Sequence, residues 1–390
     1  MKVALLGNMN NNNFVLLRFL LDKGYDAELL LFENELSHFM PEDDTFNINV
    51  FKKRIKTLAW GGYKSFFTTS KNEIRSDLKK YDIIIGSRLA PAYLRKAKIK
   101  LDIFIPAGGE IHSLPFFNGF HPKAFIKWIL FSFLQKKGIE KNTKFIFWPK
   151  SDIDVDNRIN KLNLSKDSLV DLSVPMVYFK EYKDSLVDNT PLIQKQIDEI
   201  KSKHNYIIGY HSRQNWKKYL IGNIDGKDTD KLFIAFSEFV KKTNSKPCII
   251  ALEYGEDVDE TKKLCIELGI ENYIYWFPKM PRKELMLLLK NCNIIAGEFK
   301  RSNYSYGVVF ESLALGKALI HKRDPELYSN KSLYPMIFGD SVDNIKNAFL
   351  NNNIEKLHKI GVESQTWYKE YCSNTISKII FHIEEAKKTH

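Results

Sequence analysis

The strongest constraint on the fold is an alternation of short apolar runs with amphipathic segments along the first half of the chain. The apolar runs are rich in β-branched and aromatic residues and end in turn formers, as buried parallel strands do. The amphipathic stretch 14–23 is followed by Gly24, a typical helix stop. This pattern predicts βα units in a doubly wound parallel sheet. The predicted strands cover 2–7, 27–32, 82–87, 101–106 and 144–149.

The second half of the sequence repeats the pattern independently. Its predicted strands are 205–210, 247–252, 272–277, 292–297 and 317–322, and its predicted helices are 228–242, 256–268, 281–290 and 306–315. We therefore expect an α/β protein with two doubly wound domains that face each other across a cleft, where ligands bind at the carboxyl ends of the strands. The expected divisions are 1–185, 186–363 and a mixed-charge helical segment, 364–390, that can pack back on the first domain.

Length, charge and cysteine usage narrow the class of protein. A chain of 390 residues is too long for one small core. Its net charge of +12 favours anionic partners such as nucleotides, phospholipid head groups or nucleic acid, although no nucleic-acid-binding module is recognised. The four scattered cysteines lack metal-binding spacing, and neither a signal-peptide core nor a spanning apolar run is found. We expect a cytoplasmic protein with buried thiols.

The segment 305–320, SYGVVFESLALGKALI, places a carboxylate on a helix that opens with glycine. Gly307 and Glu311 are four residues apart and share a helix face. The first helical turn offers free N–H groups to a phosphate, and Ser305 can either cap the helix or bond to an oxygen. Glu311, one turn deeper, can accept hydrogen bonds from a ribose diol. The alternative is a capped helix with Glu311 on a solvated face.

This segment resembles the C-terminal-domain signature of GT-B glycosyltransferases, especially the retaining family 4. Two further segments, 209–236 and 252–299, also resemble this family. Together with 305–320 they bring the well-matched range to roughly 206–320, and the first half of the chain matches more loosely. It implies two Rossmann-like domains, a nucleotide-sugar donor as substrate, no metal cofactor and retention of anomeric configuration. It also implies that Glu311 binds the ribose, while Arg213 and Lys227 hold the diphosphate. The donor site would comprise Arg213, Lys227, Glu298, Ser305, Tyr306, Gly307, Val308, Val309 and Glu311.

Two positions depart from the family pattern. A second glutamate is common eight residues before the one that Glu311 matches, and Asn303 stands there. Glu298 can take part of its role, although its spacing differs. Lys227 also follows Arg213 by more residues than is usual. The residues themselves suit the chemistry, because Arg and Lys stabilise the charge that builds on a diphosphate leaving group.

The segment 104–117, FIPAGGEIHSLPFF, is the counterpart in the first domain. Gly108 and Gly109 expose the backbone after a predicted strand, beside Glu110 and His112. Similar glycosyltransferases carry a G-[GS]-[DE] turn here. Glu110 can contact the acceptor hydroxyl and His112 the donor sugar, which makes both of them candidate catalytic residues. His112 can equally serve only to satisfy the loop backbone.

Two further segments of the first half are candidate contact regions. Gly7 and Asn8 follow the first strand without GxGxxG spacing, and they line the acceptor side, contact donor phosphates or form a plain turn. The aromatic segment 121–137 is either a buried core helix or a helix at an anionic membrane surface. The membrane contacts would then be Lys123, Lys127, Trp128, Lys136 and Lys137.

The sequence therefore predicts a glycosyltransferase that moves a sugar to a glycan or lipid-linked glycan in bacterial surface polysaccharide assembly. A sugar-nucleotide 2-epimerase of the same fold would need no acceptor. A non-enzymatic, two-lobed solute-binding protein would also have twin α/β domains, but an export signal is missing from the sequence.

Overall fold

The computed structural model describes residues 1–116, 125–149, 153–182, 191–217 and 226–388. The chain divides into two compact units. Unit 1 comprises Met1–Tyr178 and Cys372–His390, and unit 2 comprises Phe179–Tyr371.

Unit 1 is a seven-stranded parallel sheet flanked by helices. The strand order is β3-β2-β1-β4-β5-β6-β7. Apolar strands such as β1 and β4 are buried almost throughout, because helices cover the faces of a parallel sheet. The elements are β1 Lys2–Leu6, α1 Asn12–Asp22, β2 Asp26–Leu31, β3 Ile55–Thr57, α2 Ser65–Thr68, α3 Lys71–Leu78, β4 Ile83–Gly86, α4 Ala90–Ala97, β5 Leu101–Phe104, α5 Gly109–His112, α6 Phe125–Asn142, β6 Thr143–Phe147, α7 Ile153–Ile159 and β7 Leu169–Val170.

Unit 2 is a six-stranded parallel sheet in the order β10-β9-β8-β11-β12-β13. Its final helix, α14, continues beyond Tyr371 and contributes its last turns to unit 1. The elements are α8 Pro191–Lys203, β8 Tyr206–Tyr210, α9 Thr229–Lys242, β9 Pro247–Glu253, α10 Val258–Glu267, β10 Ile274–Pro278, α11 Arg282–Lys290, β11 Ile294–Ala296, α12 Gly307–Ala314, β12 Ala318–His321, β13 Ile337–Phe338, α13 Val342–Asn351 and α14 Ile354–Lys387.

All ten strands predicted from the sequence are present, each within two or three residues of its predicted ends. The predicted fold class, two Rossmann-like parallel sheets with flanking helices, is confirmed. The short strands β3, β7 and β13 were not predicted, because each has only two or three residues and lies at a sheet edge. The last helix begins at Ile354 rather than at 364, and Gly361 lies inside it because a Cβ there would be 2.1 Å from the carbonyl oxygen of Gly316.

The four cysteines are all buried and form no disulfide. Burial raises the pKa of the Cys248, Cys265 and Cys292 thiols to about 12. The prediction of buried thiols is confirmed. Among the described residues, no helix has the length and apolar character needed to cross a membrane.

A single glycine sets how closely α6 packs on α4. A Cβ placed on Gly138 would lie 2.2 Å from the carbonyl oxygen of Pro91 and 2.5 Å from its carbonyl carbon. Since the obstacle is backbone, a side chain at 138 cannot be accommodated by a rotamer change. The close approach matters because α6 also supports the loops at the carboxyl edge of the first sheet.

We predict that Gly138→Ala destabilises the protein by about 1–3 kcal/mol, because an extra methyl group overpacks the helix interface. Unfolding in urea followed by circular dichroism measures this change. Gly109→Ala is the matched control, since a Cβ there meets no atom within 4 Å. Equal stability of the Gly138→Ala variant and the wild type would contradict the packing argument.

Candidate functional site

Strand order locates the functional edge of each sheet. In a doubly wound sheet, ligands bind beyond the carboxyl ends of the two strands where the order reverses. In unit 2 these strands are β8 and β11, which are direct neighbours in the sheet. His211 and Arg213 follow β8, and Glu298 follows β11. The candidate donor residues therefore lie where the topology alone places a ligand.

Glu311 is buried on α12, so the alternative of a solvated face is wrong. Its Oε2 accepts a hydrogen bond of 2.7 Å from His211 Nε2, and its Oε1 accepts one of 3.0 Å from Arg282 Nε. A carboxylate has about four acceptor positions on its two oxygens. The two donors therefore leave each oxygen with capacity for a further hydrogen bond, such as one from a diol.

The pKa of Glu311 reports how strongly this arrangement favours the charged form. Burial by itself raises the pKa, but the hydrogen bond and charge of His211 and the charge of Arg282 outweigh it and lower the pKa from 4.5 to about 2. Glu311 is therefore an ionised acceptor throughout the physiological pH range.

The first turn of α12 presents three backbone N–H groups. The amides of Gly307, Val308 and Val309 precede the first possible intrahelical bond, and none of them has a partner among the described residues. A Cβ on Gly307 would lie 3.8 Å from both carboxylate oxygens of Glu311. The open helix end and the buried carboxylate are thus adjacent, as the sequence predicts for a phosphate and a diol on one ligand.

Several buried polar atoms at this edge have no hydrogen-bond partner in the part of the chain that the structure describes. Ser305 Oγ, His211 Nδ1 and Ser212 Oγ are among them. Ser305 is not the cap of α12, because the N-cap is Tyr306 and makes no side-chain capping bond. Unpaired buried polar atoms are costly in a folded protein. Their presence here fits a site that a polar ligand completes.

Lys227 and Glu298 form an ion pair of 2.6 Å at the same edge of the sheet. The backbone holds both in place, since Lys227 N donates to Asn215 O at 2.7 Å and Glu298 N donates to Tyr306 Oη at 3.0 Å. Three of the predicted donor residues, Lys227, Glu298 and Tyr306, therefore form one connected group.

Arg213 is exposed and stands near the ring of Tyr254, with its guanidinium 5.8 Å from the ring centroid. The ammonium of Lys279 lies 5.0 Å from the same centroid. Neither cation makes an ion pair with a described residue. Arg213 and Lys279 therefore leave two positive charges at the carboxyl edge of the second sheet, which favours binding of an anion such as a diphosphate.

The sequence analysis missed His211, Arg282, Tyr254 and Lys279. His211 directly follows β8, while Lys279 and Arg282 flank the β10–α11 turn. The available signal was positional, because polar residues just after the carboxyl ends of parallel strands gather at one edge. Nothing in the local sequence, however, indicates that His211 and Arg282 pair with Glu311.

In unit 1, Glu110 lies in α5, directly after β5. Its Oε1 accepts a hydrogen bond of 2.7 Å from Ala107 N. Burial raises its pKa, although backbone hydrogen bonds and the charge of Arg88 oppose this shift. A carboxylate with a raised pKa is a stronger base than an ordinary one, which suits proton transfer.

The remaining residues of this turn border open space. A Cβ on Gly109 would meet no atom within 4 Å, and one on Gly108 would meet only His112 Nε2 at 3.9 Å. His112 Nδ1 is 2.8 Å from Ser113 Oγ, which is a contact with a neighbouring side chain and not with the loop backbone. The two glycines thus keep the backbone beside Glu110 accessible.

The turn after β1 is held by internal bonds. Gly7 has a φ of +71°, and a Cβ on it would lie 2.7 Å from the Phe32 ring, so glycine is required there. The Asn8 amide donates to Asn11 Oδ1 and to Phe39 O and accepts from Phe14 N. Since Asn8 uses its side chain internally, it can contribute to ligand binding mainly by shaping the turn.

A chain of hydrogen bonds links that turn to Glu110. Glu35 accepts from Asn8 N at 3.0 Å and from Arg88 Nη1 at 2.9 Å. Gln135 on α6 then donates to the carbonyl oxygens of Arg88 and Glu110 at 3.1 and 3.2 Å. The residues after β1, β4 and β5 therefore form one connected edge.

The predicted membrane-contact residues lie on α6, apart from Lys123, which is outside the described residues. Lys127 is exposed, and Trp128 is half-buried against the core of unit 1. Lys136 and Lys137 both approach the Glu140 carboxylate, at 3.8 and 3.2 Å. No group of three or more His, Cys, Asp or Glu side chains suited to a metal ion occurs within the described ranges.

Comparison with known proteins defines the fold further. No protein-family model matches the sequence, and no curated protein matches it. The structure is similar to Anabaena HepE in complex with UDP-glucose (TM-score 0.64, 13% identity, 99% of this chain and 100% of that chain). It is also similar to a glycosyltransferase from Rickettsia africae (TM-score 0.60, 15% identity, 100% of this chain and 99% of that chain).

A third similar structure is the UDP-GlcNAc 2-epimerase from Neisseria meningitidis bound to UDP-GlcNAc (TM-score 0.59, 14% identity, 99% of this chain and 100% of that chain). At these identities the similarity establishes the fold, which is the pair of Rossmann-like domains found in GT-B proteins. Membership of the retaining family 4 stays a prediction.

We predict that Glu311→Gln lowers the free energy of unfolding at neutral pH by about 3 kcal/mol, the equivalent of the pKa shift. Because the pKa is lower in the folded than in the unfolded protein, ionisation stabilises the fold above pH 4.5, and this contribution is lost as the pH falls towards 2. The difference between variant and wild type should therefore shrink over that range. Urea unfolding at a series of pH values measures it.

The matched control for this experiment is Glu267→Gln, an exposed position on α10. It should change stability little at any pH. A difference between Glu311→Gln and wild type that is independent of pH would show that the carboxylate charge does not contribute.

Proposed function

We propose that this protein is a glycosyltransferase that moves a sugar from a nucleotide-sugar to an acceptor hydroxyl. The observation that carries the proposal is the buried, ionised Glu311 beside the open first turn of α12, at the strand-order reversal of the second sheet. A nucleotide-sugar carries a ribose diol and a diphosphate leaving group in one molecule, which Glu311 and the first turn of α12 would bind respectively.

The diphosphate would be bound by charge and by backbone amides. Arg213 offers a fork of donors and Lys227 a compact ammonium group, while Gly307, Val308 and Val309 supply N–H groups. Because Lys227 is paired with Glu298, a bound diphosphate would compete for its ammonium group. These groups stabilise the charge that develops on the leaving group, so the proposed reaction needs no metal ion.

The acceptor side belongs to unit 1 in this proposal. In the transfer, the bond from the anomeric carbon to the diphosphate oxygen breaks, and its electron pair leaves with the nucleoside diphosphate. A bond from that carbon to the acceptor oxygen forms, and the acceptor hydroxyl passes its proton to the Glu110 carboxylate. Glu110 is the proposed partner of this hydroxyl, and His112 that of the donor sugar. Gly7, Asn8, Gly108 and Gly109 shape the edge around them.

The proposed acceptor is a glycan or a lipid-linked glycan, and the proposed process is assembly of a bacterial surface polysaccharide. The basic surface and the half-exposed helix α6 support an acceptor presented at the inner face of an anionic membrane. Residues 1–185 are the proposed acceptor-side domain and 186–363 the proposed donor domain. Retention of anomeric configuration belongs to the same proposal.

A second candidate is a sugar-nucleotide 2-epimerase. The similarity to the Neisseria meningitidis 2-epimerase supports this candidate at the level of fold. Such an enzyme would act on a nucleotide-sugar alone, whereas a transferase needs an acceptor.

We expect calorimetry to show that one of UDP, GDP, ADP and CMP binds selectively, both with and without a metal chelator. Arg213→Ala and Glu311→Gln should each weaken this binding by about tenfold or more, because each removes a charge-assisted hydrogen bond. Arg95→Ala, an exposed arginine on α4 of unit 1, is the control and should bind like the wild type. Binding of none of the four nucleotides would refute the proposal and favour a two-lobed binding protein of another ligand class.

Product analysis separates the two enzymatic candidates. We expect the matching nucleotide-sugar to stay intact without an acceptor, apart from slow hydrolysis, when it is followed by NMR. Addition of an acceptor extract should release the nucleoside diphosphate, and Glu110→Gln should slow this release by at least about a hundredfold. Appearance of a C2-epimer or of an eliminated nucleotide without acceptor would instead identify an epimerase.

A further inference from the structure

Asp257 stands at the N-cap of α10, yet its side chain does not cap that helix. An aspartate in this position usually accepts from an amide in the first turn of its own helix. Here Oδ2 instead accepts hydrogen bonds from Trp216 N at 2.7 Å and from Lys217 N at 2.9 Å. Asp257 is fully buried, and these amides belong to residues 211–217, which we call the β8 loop because they follow β8. The carboxylate therefore serves a loop 40 residues away in the sequence.

The backbone of the β8 loop is also bound to the turn 254–257, which joins β9 to α10. Gln214 N donates to Tyr254 O at 2.7 Å, and Asp257 N donates to Gln214 O at 2.8 Å. Gly255 allows this close approach, because a Cβ on it would lie 2.4 Å from Gln214 N. Its φ of +127° also favours glycine. The loop and the turn therefore pack as one unit.

The side chains of α10 add a second set of contacts to the β8 loop. Thr261 is four residues after Asp257, so both lie on the same side of the helix. Thr261 Oγ1 accepts from Trp216 Nε1 at 2.9 Å and lies 3.3 Å from Gln214 Oε1. Gln214 and Thr261 are fully buried. Because buried polar groups are costly when they lack partners, this network favours a single position of the loop.

The anchored loop holds both cations that are proposed to bind the diphosphate. Arg213 belongs to it, and its guanidinium lies 5.8 Å from the centroid of the Tyr254 ring. Lys227 is attached through Asn215, whose carbonyl oxygen accepts from Lys227 N at 2.7 Å. Asn215 Oδ1 in turn accepts from Glu256 N at 3.0 Å. Both cations are therefore supported by the turn between β9 and α10.

We propose that Asp257 is a positioning residue for the diphosphate of the donor. By holding the β8 loop, its carboxylate fixes where Arg213 and Lys227 meet the ligand. Hydrogen bonds from amides to a carboxylate are stronger than those between neutral groups, and supporting contacts of this kind keep binding groups in the correct geometry. Asp257 is too deeply buried to touch the ligand itself. This role rests on the proposed function, because it assumes a nucleoside diphosphate at the edge of the second sheet.

Calorimetric titration with UDP, GDP, ADP and CMP tests this role. Asp257→Ala should weaken binding of the preferred nucleoside diphosphate by about tenfold, because the loop loses both amide hydrogen bonds. Asp257→Asn should keep the affinity within about threefold of the wild type, since an amide oxygen can accept the same two bonds. Asp259→Ala, at an exposed position on α10, is the matched control and should bind as the wild type does.

A double-mutant cycle distinguishes positioning from a general loss of stability. Asp257→Ala combined with Arg213→Ala should weaken binding by much less than the product of the two single losses, because both changes disable the same contact. Asp257→Ala combined with Glu311→Gln should weaken it by that product, since Glu311 is proposed to bind a different part of the ligand. Urea unfolding followed by circular dichroism checks that each variant is folded. Thr261→Val, which removes the acceptor of the Trp216 indole, takes the place of Asp257→Ala if that variant does not fold.

Three outcomes would overturn the positioning role and leave the proposed function standing. They are selective binding of CMP in place of a nucleoside diphosphate, wild-type affinity in the Asp257→Ala variant, and losses that multiply in the Arg213 cycle as well as in the Glu311 cycle. If the wild type binds no nucleotide at all, the proposed function fails and the positioning role fails with it. The wild-type titration therefore distinguishes the two failures.

Discussion

The buried charge of Glu311 is the interaction on which the geometry of the second domain's edge depends. A carboxylate out of contact with water is strongly unfavourable unless it is paired. Its two partners come from different elements, since His211 follows β8 and Arg282 begins α11. The need to satisfy one charge therefore fixes three elements relative to each other. The same two hydrogen bonds hold the Glu311 carboxylate in place in the absence of a ligand.

The sheets could be predicted from sequence because parallel strands buried on both faces need continuous apolar runs. β1 and β4 are such strands, and their pattern leaves little ambiguity. The edge strands β3, β7 and β13 could not be predicted in this way. A strand with one neighbour and two or three residues has no run to detect, so its pairing depends on tertiary contacts that the local sequence does not contain.

The candidate site was predictable only in part, for a similar reason. The spacing of Gly307 and Glu311 on one helix is a local property, and the structure has it as expected. The pairing of Glu311 with His211 spans a hundred residues of sequence, and no local pattern encodes it. Of the two roles predicted for Ser305, the cap is wrong, because the helix begins one residue later and Tyr306 is the N-cap. The local sequence indicates which residues can bind a ligand or cap a helix, and the tertiary structure determines which of them do so.

The burial of all four native cysteines makes the protein well suited to spectroscopic labelling. Cys248, Cys265 and Cys292 have little thiolate at neutral pH, and none of the four thiols is exposed to a reagent. A cysteine introduced at an exposed position would then be the preferred target of a maleimide dye, with no need to remove the others. Fluorophores could be attached to each domain of the otherwise native chain, and distance changes between them could be followed during ligand binding.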